Sequence, residues 1–459
     1  MMNKRFRTCT LDQPFLMPPA LQDWLPEGHL ARFLAEVAGT LDLAEIYAGY
    51  GRKDGRGLSA YHPLLLTRLL LYAYCTGRAS SRAIEKASYE DVAFRYLAAN
   101  QHPDHDTIAT FRKQHLESLA KLFLQVLQLC REAGLVKVGA VMLDGTKVAA
   151  NASRSKSSDY EKLQRREQRD QELVEELLRQ AGRVDEEEDA RYGKGKRGDE
   201  LPPELATTQK RLERIRQAKA VLEQQARERA EQAERERAEK KAAGQRPSPA
   251  ERKRWSRAKK PVEATKAQYN FTDPDSQLMK DGQRGGFVQG YNAQAAVLDN
   301  QIIVAAEVTT EAADKQQLVP MAGQVEQSMG ARPTALLADG GYWSEEAVTD
   351  ERLKGIELLV PPDSAKAGEG PKKNSPQSPA ANAMREKLRR QQGAELYRRR
   401  KQTIEPVFGQ IKEARGLRRF LLRGLRAVRG EWKLICLTHN LLKLFRHWRP
   451  GIGWAPQPA

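Results

Sequence analysis

The sequence predicts an α/β protein: a mixed sheet flanked by helices, preceded by an all-helical amino-terminal region and interrupted by a long charged helical hairpin. Three observations carry this. Residues 22 to 134 read as helix after helix, short apolar and β-branched runs begin at GLVKVGAVMLDGTKVAANAS, and residues 155 to 265 are dense in Glu, Arg, Lys and Gln with few aromatics. The expected division is a helical region over 1–135, an α/β region made of 136–154 and 266–448, an insertion over 155–265, and a tail over 449–459.

Taken in order, HPLLLTRLLLYAYCTG is apolar nearly all round, with Pro63 suited to a first helical turn, so it reads as a core helix. SSRAIEKA and SYEDVAFRYLAAN follow, the second opening on a Ser88/Asp91 capping box. A third helical phrase, HPDHDTIATFRKQHLESLAKLFLQVLQLCREAGL, carries Arg112, Lys113 and His115 in its early turns. Two short helices and a third with basic residues fit either a helix-turn-helix unit or a plain bundle with a basic surface. His102 and His105 flank Asp104 in what reads as a loop.

In the insertion, Val174, Leu177, Ala181 and Val184 step as one heptad seam, and Leu205, Thr208, Leu212, Ile215 and Leu222 as another. The polar tract QARERAEQAERERAEKKAAGQRPSP after them has the composition of a partly disordered segment. Strand alternation returns at GGFVQGYNAQAAVLDNQIIVAAEVTT, with Asp299-Asn300 as a hairpin turn. Then come a helix (DKQQLVPMAGQVEQSM), a strand (PTALLAD), a helical approach (GYWSEEAVTDERL), a strand (GIELLVPP), a loop by composition (PPDSAKAGEGPKKNSPQSPAANA), an Arg-rich helix and a final amphipathic helix stopped by Pro450.

The 459 residues carry 77 Lys and Arg against 60 Asp and Glu, a net charge of +17 and a pI near 9.6, so a polyanion such as nucleic acid is the expected partner. The four cysteines, Cys9, Cys75, Cys130 and Cys436, form no C-x-x-C pair, which argues against a zinc site or disulfide framework and for a reducing cytosol. No signal-peptide stretch opens the chain, and the longest apolar run is short and carries Arg68, so a cytoplasmic protein with no membrane partner is expected.

One carboxylate stands out from its surroundings. In RRRKQTIEPVFGQIKEARGLRRF, Ile404, Phe408 and Ile411 form a packed stripe, and Arg398, Glu405 and Lys412 recur every seven residues in a row beside it. Gly409 leaves a dent in that row, and Pro406 is expected to kink or restart the helix at Glu405. A glutamate in a cationic row is either a solvated ion-pair face or one ligand of a metal that works on phosphates. The second reading needs more carboxylates, and AVMLDGTK and ALLADGGYW supply them. In each an apolar strand ends in Asp-Gly, lifting Asp144 and Asp339 out of the sheet end while the glycine lets a ligand come close. Hard oxygen ligands select Mg²⁺ or Mn²⁺. Asp273 and Asp275 in FTDPDSQLMK compete for the first position, but an Asp-Pro turn explains them and Asp144 ends a strand.

With HPDHDTIATFRKQH, LDGTKVAANAS, DPDSQLMK, GYNAQAAV, LLADGGYW and IEPVFGQIK, the sequence resembles the DDE-type insertion-sequence transposases of bacteria over nearly its whole length. The resemblance implies an RNase H-like catalytic domain in which Asp144, Asp339 and Glu405 hold two Mg²⁺ (or Mn²⁺) ions. It further implies binding to double-stranded DNA at the element's terminal inverted repeats, cleavage of the ends and strand transfer, with a homodimer in the DNA complex. That family's Tyr, Arg, Glu and Lys signature fits Glu405 and Lys412 in spacing, while Tyr397 lies one residue too far upstream and Arg400 or Lys401 stands where arginine is expected. Arg112, Lys113, Arg398, Lys401 and Lys412 are the expected DNA-binding residues, and Tyr342 and Trp343 are either core or a stacking platform for an unpaired base. A catalytically inactive, transposase-derived DNA-binding protein is the alternative.

Overall fold

A computed structural model describes residues 20–50, 60–192, 203–244, 246–247, 249–265, 267–281, 285–363 and 378–451, with the side chains at 181–182, 184–192, 203 and 249–250 left undescribed. The chain divides into two compact units, 1–148 with 292–459, and 149–291.

The first unit opens with helices α1 (Leu30–Thr40), α2 (Ala44–Ala48), α3 (Pro63–Thr76), α4 (Ser81–Glu90), α5 (Val92–Leu97), α6 (His105–Gln114) and α7 (Leu116–Glu132). As expected, α3 starts on Pro63 and is buried along most of its length. Two expectations need correction. Ser88 is no cap: it lies inside α4 and donates to the Glu85 carbonyl, while Asp91 alone caps α5 by accepting from Ala93 and Phe94 amides. The last helical phrase is two helices that break at His115, so Arg112 and Lys113 fall in the final turn of α6 rather than early in a third helix.

The strands are β1 (Ala140–Ala149), β2 (Ser157–Asp159), β3 (Gln268–Asn270), β4 (Gln277–Asp281), β5 (Gly286–Leu298), β6 (Ile303–Thr309), β7 (Ala335–Leu337) and β8 (Glu357–Leu359). The main sheet runs β4-β5-β1-β7-β8, with β6 on β5. The β5–β6 hairpin is antiparallel, and its turn includes Gln301 at φ 68°. β1, β7 and β8 are parallel. The order β6-β5-β1-β7-β8, three strands that can turn back on one another followed by two parallel additions, is that of an RNase H-like sheet. Parallel neighbours need crossover connections, and α11 (Leu318–Met329) lies in the one that leads to β7.

After β8 come α13 (Pro379–Arg389) and α14 (Gln391–Gly409), then a π-helical turn (Gln410–Ala414) and α15 (Leu425–Phe445); α12 (Glu345–Val348) is a short turn before β8. The loop expected from composition is therefore shorter, because Ser378 caps α13 with Pro379 in its first turn, and the rest of it lies outside the described residues. Helix α15 packs against α3, α7 and β6, so the amino-terminal helices share a core with the end of the chain.

In the second unit, α8 (Tyr160–Tyr192) and α9 (Pro203–Ala242) pack together, with Tyr160, Leu163, Ile215, Ala218 and Leu222 buried in one cluster. The expected seam of α9 is buried at Leu205, Thr208, Leu212, Ile215 and Leu222, whereas Val174 and Leu177 of α8 are half-buried and the side chains of Ala181 and Val184 lie outside the described residues. The polar tract read as partly disordered continues α9 as helix to Ala242, where α10 (Pro249–Ala258) lays Trp255 on it with Nε1 donating to Glu236 at 3.0 Å. Composition missed this because the apolar contribution comes from a different helix. Among the described residues no helix is long and apolar enough to cross a membrane.

Candidate active site

The parallel register of β1 and β7 pairs Met142 with Leu337. Two residues beyond that pair lie Asp144 and Asp339; contrary to the expectation of two strand ends, Asp144 sits within β1, which continues to Ala149, while Asp339 follows the end of β7, and the two are close enough for their charges to couple. Val141, Met142, Leu143, Leu336 and Leu337 are fully buried, which anchors both strands in the core and leaves the carboxylates half-buried at its rim. Asp339 turns the chain by accepting the Gly341 amide at 2.9 Å, and Asp144 accepts the Gly145 amide at 2.9 Å.

Burial pushes the Asp144 carboxyl up to about 6; Arg400 counteracts this, while Asp339 and Asp314 add to it. Loss of hydration, more than the neighbouring carboxylates, opposes its charge, and Arg400 offsets only part of that. Arg400 comes from the buried face of α14, with Nη1 3.2 Å from Asp144 Oδ2 and its guanidinium 5.9 Å from the Tyr397 ring. Burial disfavours its charge, but Asp144 and Tyr397 raise its pKa overall. Its Nε and Nη1 have no hydrogen-bond partner in hydrogen-bonding geometry, so the guanidinium retains donors for an acceptor such as a phosphate oxygen. Lys147 Nζ donates to the Ala312 carbonyl at 2.8 Å and stands 3.9 Å from Asp314 Oδ1. Lys412, buried on the π turn, donates to Thr146 Oγ1 at 3.1 Å and to the Lys147 carbonyl at 3.2 Å.

The structure thus brings Asp144, Asp339 and Lys412 into one neighbourhood, with Arg400 as the arginine facing inward. It does not join Glu405 to them. Glu405 is exposed on α14, and no hydrogen bond or ion pair to it is found among the described residues. Ile404, Phe408 and Ile411 are buried as the stripe requires, but the row beside it breaks: Arg398 and Glu405 face solvent, whereas Lys412 turns inward because the π turn shifts the helical phase. The helix does not restart at Glu405. Pro406 sits inside α14, and the carbonyl it displaces, four residues earlier, is on the exposed face where water can take it.

The remaining expected residues are placed as follows. Arg112 is buried, donating to the Ala79 carbonyl at 2.8 Å and to Tyr74 Oη at 3.3 Å, which leaves it unavailable to DNA phosphates. Lys113, Arg398 and Lys401 are exposed. Tyr342 and Trp343 are core residues, the former donating its hydroxyl to Gln294 Oε1. Asp104 caps α6, His105 faces Glu85 at 2.8 Å and His102 stacks on Tyr89, so these histidines surround no common ligand. Asp273 is buried and accepts the Tyr291 hydroxyl at 2.8 Å, in keeping with a turn-fixing role.

The donor chemistry fits a hard divalent cation: oxygen ligands from neighbouring strands, in a field where burial, and then the nearby Asp339 and Asp314, push the Asp144 carboxyl up. Among the described residues, no three Asp, Glu, His or Cys side chains close on a common point, and the Arg400 guanidinium stands on Asp144. Sequence reasoning missed Asp314, which belongs to this neighbourhood. Its one signal lay elsewhere in the chain, in the pair Asn292 and Gln294 of GYNAQ, two amides on one face of a strand that is otherwise apolar there.

Two family models match the chain. One, described as Transposase DDE domain, covers residues 365–445 and so includes Arg400, Glu405 and Lys412; the other, Transposase domain (DUF772), covers residues 19–114. Asp144 and Asp339 lie outside both matches. No curated protein and no solved structure matches the chain. Matched at both ends by transposase models around an RNase H-like sheet, the chain is similar to the DDE-type insertion-sequence transposases.

Proposed function

We propose that this protein cuts DNA at the terminal inverted repeats of its own element and joins the freed 3′ ends to target DNA, with Asp144 and Asp339 as the first two metal ligands and Glu405 as the third. The observation that carries this is the placement of the two aspartates close together at adjacent parallel strands, with Asp144 pushed up to about 6. A divalent cation at these carboxylates, Mg²⁺ or Mn²⁺ and in this family a pair, supplies Lewis-acid stabilisation to phosphodiester exchange. Arg400, with donors to spare, binds a phosphate oxygen beside the cut and leaves Asp144 to the cation. Lys412 fixes β1 through Thr146 and the Lys147 carbonyl, and Tyr342 in the core braces the turn that carries Asp339. Glu405 joins from the exposed face of α14 when DNA is bound. Arg398 and Lys401 on that face and Lys113 on α6 hold the DNA backbone, and their contribution falls as salt rises.

In this reading residues 1–135 read the repeats, 136–154 and 266–448 carry the chemistry, 155–265 form an accessory insertion, 449–459 a tail, and a homodimer assembles on DNA in the bacterial cytoplasm. Because α15 completes the core of the amino-terminal helices, repeat binding is to be measured on the full chain. One observation favours the alternative of an inactive DNA-binding descendant: Glu405 is exposed and apart from the aspartates. The deciding experiment incubates full-length protein and a duplex ending in the element's repeat with Mg²⁺. Nicking at the repeat's 3′ end that Asp339→Asn and Glu405→Gln each abolish, with duplex binding retained, supports the proposal. No nicking by the wild type supports the alternative, and nicking by Glu405→Gln removes Glu405 from the ligand set.

A further inference from the structure

Asp314 lies in the turn between β6 and α11, where nothing in its local sequence marks it. Its Oδ1 accepts from Asn292 Nδ2 and from Gln294 Nε2, each at 2.7 Å. Both amides are fully buried on β5, where an unbonded polar group is costly, and the Asp314 carboxylate satisfies one donor of each. The same carboxylate reaches both aspartate–glycine stretches. A Cβ added at Gly145, next to Asp144, would stand 2.6 Å from Asp314 Oδ1 and 2.4 Å from Gln294 Nε2. A Cβ at Gly341, whose amide Asp339 holds, would stand 3.5 Å from Asp314 Oδ2. The glycine after Asp144 is thus required by what occupies that space, beyond any need for a flexible turn.

A second observation points to a ligand. Asn292 Oδ1, on a fully buried side chain, has no hydrogen-bond partner and lies 2.9 Å from the same Gly145 Cβ position. An orphaned acceptor beside Asp314 and the Asp144–Gly145 stretch of β1 marks a place where a positively charged or donor group belongs.

We infer that Asp314 is a positioning residue of the proposed metal site: it bridges the Asp144–Gly145 stretch of β1 and the Asp339–Gly341 turn, holds the two aspartates together, and adds negative charge toward the divalent cation they bind. The inference rests on the metal reading of Asp144 and Asp339. Asp314→Asn keeps an oxygen for the Asn292 and Gln294 amides but removes the charge, so the fold is retained while the cation is held less well.

The test is Mn²⁺ binding to the full-length protein without DNA, read from the electron paramagnetic resonance of free Mn²⁺, alongside thermal unfolding of each variant. Asp314→Asn is expected to weaken Mn²⁺ binding about tenfold or more, the range seen when groups supporting metal ligands are changed, with an unchanged melting temperature. Asp144→Asn is expected to weaken it further. Should Asp314→Asn fail to fold, Asp314→Ser, smaller and still an acceptor, reads the same effect. Mn²⁺ binding by the Asp314 variant within twofold of wild type, while Asp144→Asn loses it, overturns the role of Asp314 and leaves the metal site standing. Binding that Asp144→Asn does not weaken overturns both.

Discussion

Two groups of buried charges sit in the same compact unit and are treated differently. Around α15, Glu431 is fully buried, and its carboxylate accepts the Leu421 amide at 3.0 Å, the Leu422 amide at 2.9 Å and Tyr74 Oη at 3.0 Å. Arg112 donates in turn to Tyr74 Oη, and Arg415 donates to Thr438 Oγ1 at 3.0 Å. Each of these two arginines leaves only Nε without a partner. Around Asp144, by contrast, Arg400 reaches Asp144 through Nη1 at 3.2 Å but leaves Nε without a partner, Asn292 Oδ1 is orphaned, and burial pushes the Asp144 carboxyl up to about 6. Buried polar groups that are bonded hold a fold; buried polar groups left short mark where something else binds.

The largest effect that would break this contrast is at Glu431. Glu431→Ala leaves two backbone amides and the Arg112–Tyr74 pair without their acceptor, and should cost about 3–5 kcal/mol of stability, measured by denaturant unfolding. A loss under about 1 kcal/mol would mean the α15 cluster is no better satisfied than the Asp144 site. Next comes Arg400→Ala, which removes a donor set the account assigns to a phosphate. Cleavage should fall roughly 10²- to 10³-fold, as when a single charge-stabilising donor is lost, while unfolding changes little. Equal cleavage would return Arg400 to a structural role.

A smaller effect concerns pH. The Asp144 carboxyl is raised from 3.8 to about 6, so the native state favours its protonated form. The stability this group contributes is full below about 4 and lost as pH rises through about 6, a change of at most about 3 kcal/mol. His439 acts in the opposite sense, because burial holds its imidazole down to about 3 and acid must charge it on unfolding. The wild-type stability profile alone mixes the two; subtracting it from that of Asp144→Asn isolates Asp144. The variant should be the more stable at pH 7, with the difference vanishing toward pH 4. The smallest effects belong to exposed cations: Lys401→Ala or Arg398→Ala should weaken DNA binding uniformly across sequences and lower the slope of log K against log salt by about 1 each.

Much of the site was legible because its aspartates obey a local rule. An apolar run leading into Asp-Gly marked both aspartates on paired strands, although only Asp339 follows a strand end: β1 continues to Ala149, so Asp144 lies within it. Arg400 was ambiguous with Lys401, since neighbours on a helix lie 100° apart and only packing decides which faces inward. Lys412 could not be placed by heptad spacing, because the π turn between Gly409 and Arg415 breaks the period that such spacing assumes. Asp314 was illegible: its role depends on amides from β5 and glycines from two other segments, contacts no local pattern encodes. The strands and the buried seam of α9 followed from alternation and periodicity, the RNase H-like sheet only from the resemblance, and the helix beyond that seam depended on Trp255 arriving from α10.

The account stands most directly on Asp144, where a charge opposed by burial is read as readiness for a cation. Cleavage of a repeat-ended duplex in Mg²⁺ and thermal unfolding at pH 7 without metal, measured on the same preparation of Asp144→Asn, test it. The predicted result is a protein that no longer cuts DNA and melts at a higher temperature than wild type. A variant that still cuts, or that melts lower, would contradict it.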